Sequence, residues 1–93
     1  MNPKQKEALD ILQEECAEVV VAVSKISRFG LDNVKPGKPL TNRQHLAEEL
    51  GDLQCMIDLM YELDIVYPGE VAEYAKAKRE KLKKWSELGF KLF

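Results

Sequence analysis

Glu15 and Glu18 stand three residues apart, and so do Glu49 and Asp52. Both pairs fall where the surrounding sequence asks for apolar side chains. With about 100° of rotation per helical residue, Glu15 projects between Ala8 and Ala22, inside an arc that also holds Ile11, Leu12, Val19 and Val23. Glu18 lies at the edge of that arc beside Ile11. Glu49 falls between Met56 and Met60, and Asp52 between Leu59 and Leu63. Glu14 and Glu48 project toward the polar sides. Of the 12 acids in residues 1–64, the helical period thus selects Glu15, Glu18, Glu49 and Asp52.

Burying one ionised carboxylate costs several kcal/mol unless it is compensated. Lys and Arg do not interleave on these two faces, so the compensation is either protonation or a bound cation. Residues three apart share one side of a helix, so each pair can grip one ion or two neighbouring ions. Oxygen donors without Cys or paired His select hard cations, Mg²⁺ first and Mn²⁺ second. The lone histidine, His45, cannot supply the two Glu-x-x-His pairs of a di-iron bundle. A single acid beside a seam is usually a surface or partner-facing charge; two matching pairs on successive helices make that explanation harder.

The elements that must position these acids are three helices. The first is expected over about residues 4–28, with Asn2 as N-cap, Pro3 at the first helical position and Gly30 beyond the end. Its seam is Leu9, Leu12, Cys16, Val19, Val23 and Ile26, a heptad stripe. Residues 30–40 read as loop, rich in Gly and Pro. Thr41 with Gln44 forms a capping-box pattern for a second helix ending near Asp64, with seam Leu46, Leu50, Leu53, Ile57 and Met60. Pro68 starts a third, with seam Val71, Ala75, Lys78, Leu82 and Trp85; residues 86–93 read as a docking tail. The period supports an all-α fold in a single domain spanning 1–93, an antiparallel helical bundle completed by oligomerisation.

Composition narrows the classes. No apolar run approaches the length of a bilayer span, and the polar start has no h-region of a secretory signal. Cys16 and Cys55 lack metal or redox spacing and read as reduced packing residues of a cytoplasmic protein. The net charge of −2 conceals an asymmetry: residues 1–64 carry 7 basic and 12 acidic side chains, residues 65–93 carry 7 and 4. An acidic front suits a cation site and argues against nucleic acid. Lys78 occupies a seam position, where it can snorkel or meet a phosphate as a point charge, with Arg79 and Lys81 beside it. The basic residues between Lys76 and Lys84 surround their helix rather than forming one stripe, a weak nucleic-acid signal.

Glu14-Glu15-x-x-Glu18, a spacer, then Glu49-x-x-Asp52 resembles the EExxE…ExxD signature of the MazG-like all-α nucleoside triphosphate pyrophosphatases. The segments around it, Ser24 to Gly30 and Thr41 to Asp52, look like the short, phage-type members, and the resemblance covers about residues 5–64. It implies an enzyme that hydrolyses a (d)NTP to (d)NMP and pyrophosphate, inclined toward a purine such as dGTP or GTP. It also implies Mg²⁺ on Glu15, Glu18, Glu49 and Asp52, and assembly as a homodimer or homotetramer in the cytoplasm, a host's if the chain is phage-encoded. Glu15 or neighbouring Glu14 would accept the proton of the attacking water. Lys78, Lys81 and Arg79 would meet the phosphates, with Lys25 and Arg28 as further candidates. The base would sit near the Phe29–Arg43 loop, Trp85 being a second aromatic option although a core role suits it better; His45 is equally a lining residue or a solvent-facing one. The spacer is slightly longer than the family's usual one, which implies an enlarged loop beside the substrate. Against this enzyme stand a non-enzymatic helical adaptor, indifferent to Mg²⁺, and a nucleic-acid-binding helical protein.

Overall fold

A computed structural model of the chain describes residues 1–88. It has three helices, α1 (Pro3–Phe29), α2 (Asn42–Glu62) and α3 (Pro68–Trp85), and no strand among the described residues, only a lone bridge between Val34 and Thr41. The boundaries follow local chemistry. The Asn2 side chain accepts the Gln5 N–H at 2.8 Å while the Gln5 side chain accepts the Asn2 N–H at 3.0 Å. Thr41 and Gln44 do the same at 3.2 and 2.9 Å. Each box satisfies two of the donors that a helix start leaves unpaired. α1 stops at Gly30, whose φ of +91° suits a residue without a Cβ.

α1 and α2 form an antiparallel hairpin, with the start of α1 against the end of α2: the Gln5 amide donates to the Leu63 carbonyl at 2.9 Å. Ala8, Met56 and Met60 are buried together, flanked by half-buried Leu9, Leu12, Leu59 and Leu63. Ala8, Glu15 and Ala22 recur every seven residues, so they form one file down α1; both alanines are buried. Small side chains along that file let the helices approach closely, with Glu15 set between them. Met60 is 4% exposed, so Met60→Ala is expected to lower the unfolding free energy by about 2–5 kcal/mol. Urea titration followed by circular dichroism checks this.

The contact does not run down the expected seam. The centre of the Ala8–Glu15–Ala22 file is rotated by roughly 70° from the centre of the Leu9–Ile26 stripe, counting 100° per residue. Cys16 is therefore exposed, as are Val20 and Val23 at 69% and 50%. Cys55 and Leu50 are exposed on α2. The cysteines are free thiols as expected, but they are not packing residues within the chain; their faces lie beyond the hairpin contact. α3 buries none of its residues. Trp85, expected in a core, is 81% exposed, and of the α3 seam only Leu82 is half-buried. The correction has a simple cause: among the described residues no other element packs along α3. The molecule is accordingly a slab of 42 × 38 × 15 Å with a radius of gyration of 16.2 Å, against about 12 Å for a compact chain of this length. The expected docking tail lies mostly outside the described residues.

Candidate metal centre

Heptad position decides what meets across the hairpin. Glu15 lies one heptad from both Ala8 and Ala22; Glu49 lies one heptad from Met56. In antiparallel register the two glutamates arrive at the same level, and Asp52, one turn on from Glu49, joins them. Carboxylate oxygens of Glu15, Glu49 and Asp52 all lie within 4.8 Å of one another. Glu49 is the one buried charged residue among the described residues, at 8% exposure. Glu15 is half-buried, Asp52 exposed, so the group opens to solvent on one side.

Glu18 stands outside this trio and is exposed, as is Glu14. Both remain close enough to act on Glu15. The Glu15 carboxyl is held above its ordinary value of 4.5, first by loss of hydration and then by repulsion from Asp52, Glu49, Glu14 and Glu18. All five causes disfavour the charged form. The folded value lies above the unfolded one, so the metal-free fold gains most from this group below pH 4.5 and loses that gain as pH rises through the raised value. In chelator, the melting temperature is expected to fall as pH climbs above that point. Glu15→Gln should flatten the trend and raise the metal-free melting temperature at neutral pH, which thermal unfolding across a pH series measures.

The donor set fits a hard divalent cation. Three carboxylates supply only oxygen. Around an octahedral Mg²⁺ neighbouring ligands sit about 3 Å apart and opposing ones about 4.2 Å apart, so side-chain movements can draw the oxygens, now within 4.8 Å of one another, onto one ion. Repulsion at Glu15 is then replaced by attraction. His45 adds a partner that sequence reasoning left undecided. It is half-buried, and its Nε2 lies 3.1 Å from a Glu49 oxygen, one turn away on α2. This contact orients Glu49 in the way an outer-shell group orients a ligand.

His45 also faces a cavity of about 400 Å³ between the end of α1, the loop and the start of α2, lined in addition by Lys25, Lys35, Lys38, Asn42 and Glu48. Lys25 was among the candidates read from the sequence; Lys35 and Lys38 were not, although their Lys-Pro-Gly-Lys turn was legible. Arg28 stacks over the Phe29 ring at 4.9 Å, both exposed and apart from the cavity lining. Lys78, Arg79 and Lys81 are exposed on α3, and no α3 residue joins the acid trio or the cavity among the described residues. Comparison with family models, with characterised proteins and with solved structures finds no match to this chain. No helix among the described residues is long and apolar enough to cross a membrane.

Proposed function

We propose that the chain is a divalent-cation-dependent nucleoside triphosphate pyrophosphohydrolase, releasing a nucleoside monophosphate and pyrophosphate. The observation that carries the reading is the convergence of Glu15, Glu49 and Asp52 at an otherwise apolar helix contact. The EExxE…ExxD resemblance supplies the reaction, and the base preference is taken as purine on the same ground.

Glu15, Glu49 and Asp52 would hold Mg²⁺, with Mn²⁺ as a substitute and Glu18 drawn in from the rim. A bound cation supplies charge neutralisation on phosphate oxygens and acidifies water. The chain's own groups do the rest. Glu49, fixed by His45 and by burial, holds a constant position. Glu15, or exposed Glu14 beside it, would accept the proton of the attacking water. Ala8, Met56 and the apolar residues beyond them close one side of the group to solvent.

The working unit is read as an assembly of copies. The chain exposes 7440 Å², whereas a compact monomer of its mass exposes about 5,500 Å². The surplus, about 2,000 Å² on each chain and so about 4,000 Å² summed over two copies, falls in the range of obligate homodimer interfaces. A second copy laid on the Cys16–Val20–Val23 face and on Leu50 would cover it. Such a copy is also the means by which Lys78, Arg79, Lys81 and Trp85 on α3 would reach a site.

The test is a panel of all NTPs and dNTPs with Mg²⁺, assayed for monophosphate and pyrophosphate. Release of pyrophosphate from at least one member is the expected result. Silence across the panel, with Mg²⁺ and with Mn²⁺, removes the reading.

A further inference from the structure

The loop between α1 and α2 holds two lysines in a fixed arrangement. The Lys38 N–H donates to the Lys35 carbonyl at 3.0 Å, and Gly37 has φ +80°. With Pro36 at the second position, this is a type II turn, in which Pro sets one φ and Gly supplies the positive one. The first and fourth residues of such a turn lie within about 7 Å at their Cα atoms, so Lys35 and Lys38 are held side by side. The base of the loop is tied down. Val34 bridges to Thr41, and the Asn42 and Arg43 N–H groups donate to Asn33 and Leu31 carbonyls at 3.0 and 2.9 Å. The Asn42 amide holds the Gly30 carbonyl at 2.9 Å, and Arg43 pairs with Asp32 at 2.8 Å.

Lys25, from the last turns of α1, faces the same cavity. Three ammonium groups against the single charge of Glu48 leave the lining net positive. None of the three lysines is in an ion pair among the described residues. Like charges gathered in one concave place repel one another, and a multivalent anion is what turns that repulsion into attraction. The cavity, at about 400 Å³, falls within the range of small-molecule sites, about 300–1,000 Å³. It shares a wall with the acid trio, because His45 lines the cavity and touches Glu49.

We propose that Lys25, Lys35 and Lys38 form a clamp for the polyphosphate tail of the substrate, holding the end that departs as pyrophosphate while the acid trio addresses the bond to be cut. Reading the anion as a nucleotide tail rests on the hydrolase reading; the clamp as a polyphosphate site does not. The clamp counts phosphates and ignores the base. It should distinguish tri- from monophosphates and treat every base alike.

The experiment is calorimetric titration of the full chain with inorganic tripolyphosphate in chelator, so that no cation takes part, for wild type, Lys35→Ala/Lys38→Ala and Lys35→Arg/Lys38→Arg. Wild type should bind. The alanine pair should weaken binding by about tenfold for each lysine removed, and the arginine pair should keep it within a few-fold. Helical circular dichroism and Mn²⁺ affinity should match wild type in all three. Absence of wild-type binding, or an alanine pair that binds as wild type does, overturns the clamp. The same variants in the nucleotide panel separate the two readings. Raised KM for every base at unchanged kcat supports the clamp. Hydrolysis with unaltered KM defeats the clamp and leaves the hydrolase standing. Lysine-dependent tripolyphosphate binding with no nucleotide hydrolysed leaves the clamp and defeats the hydrolase.

Discussion

Glu49→Gln should lower kcat/KM for the preferred nucleotide by about a thousandfold, the rate equivalent of losing roughly 4 kcal/mol of transition-state stabilisation, while leaving helical content unchanged. Glutamine keeps the shape and an oxygen acceptor but not the charge. The charge is what matters here, because Glu49 is the buried member of the trio and the one that touches both the other acids and His45. Mn²⁺ affinity, measured by calorimetry, should fall with the activity. Asp52→Asn should behave similarly, and the double variant should be little worse than either single one, since ligands of one ion fail as a unit. Glu18→Gln should do less, given its exposed position outside the trio. Glu62→Gln, at the far end of α2, is the control. A Glu49→Gln protein with wild-type turnover and wild-type Mn²⁺ binding would leave the trio without a role.

Val20→Glu/Val23→Glu should break the assembly. The two valines lie on one exposed face of α1, 69% and 50% accessible. In a two-fold interface each substitution appears twice on one patch, so the pair places four carboxylates in an apolar contact. Charges buried without partners cost several kcal/mol each, enough to overturn a dimer of ordinary affinity. Wild type is expected to sediment as an oligomer and to scatter with a radius of gyration above the 16.2 Å of one chain. The variant should sediment as one chain and melt at a lower temperature, because a 93-residue slab has little core of its own. Its nucleotide hydrolysis should fall with dissociation if α3 of one copy serves the site of another. Wild type behaving as a single chain at every concentration would contradict the assembly and confine the site to α1, α2 and the loop.

What the sequence by itself determined is local and periodic. Asn2, Thr41, Gly30 and Pro68 mark helix ends because caps and breakers act within three or four residues of themselves. Glu15, Glu18, Glu49 and Asp52 stood out from the other acids because a helix repeats every 3.6 residues and an acid on an apolar arc breaks the pattern. The tertiary structure alone decided the rest. The angle at which α1 faces α2 is set by the alanine file, not by the bulk of the hydrophobic stripe, and that rotation leaves Cys16 and Val23 in solvent. It also brings Glu15 to Glu49 while Glu18 stays outside. The sequence could nominate Lys78 and Trp85 for a site or a core, yet among the described residues α3 meets neither. Lys35 and Lys38 carry no periodic signal in the sequence; the turn and the ties at the loop's base set them in one cavity with His45. The physical reason is range: hydrogen-bonded caps and helical period depend on neighbours along the chain, whereas convergence depends on how two surfaces fit, which no single stretch of residues encodes.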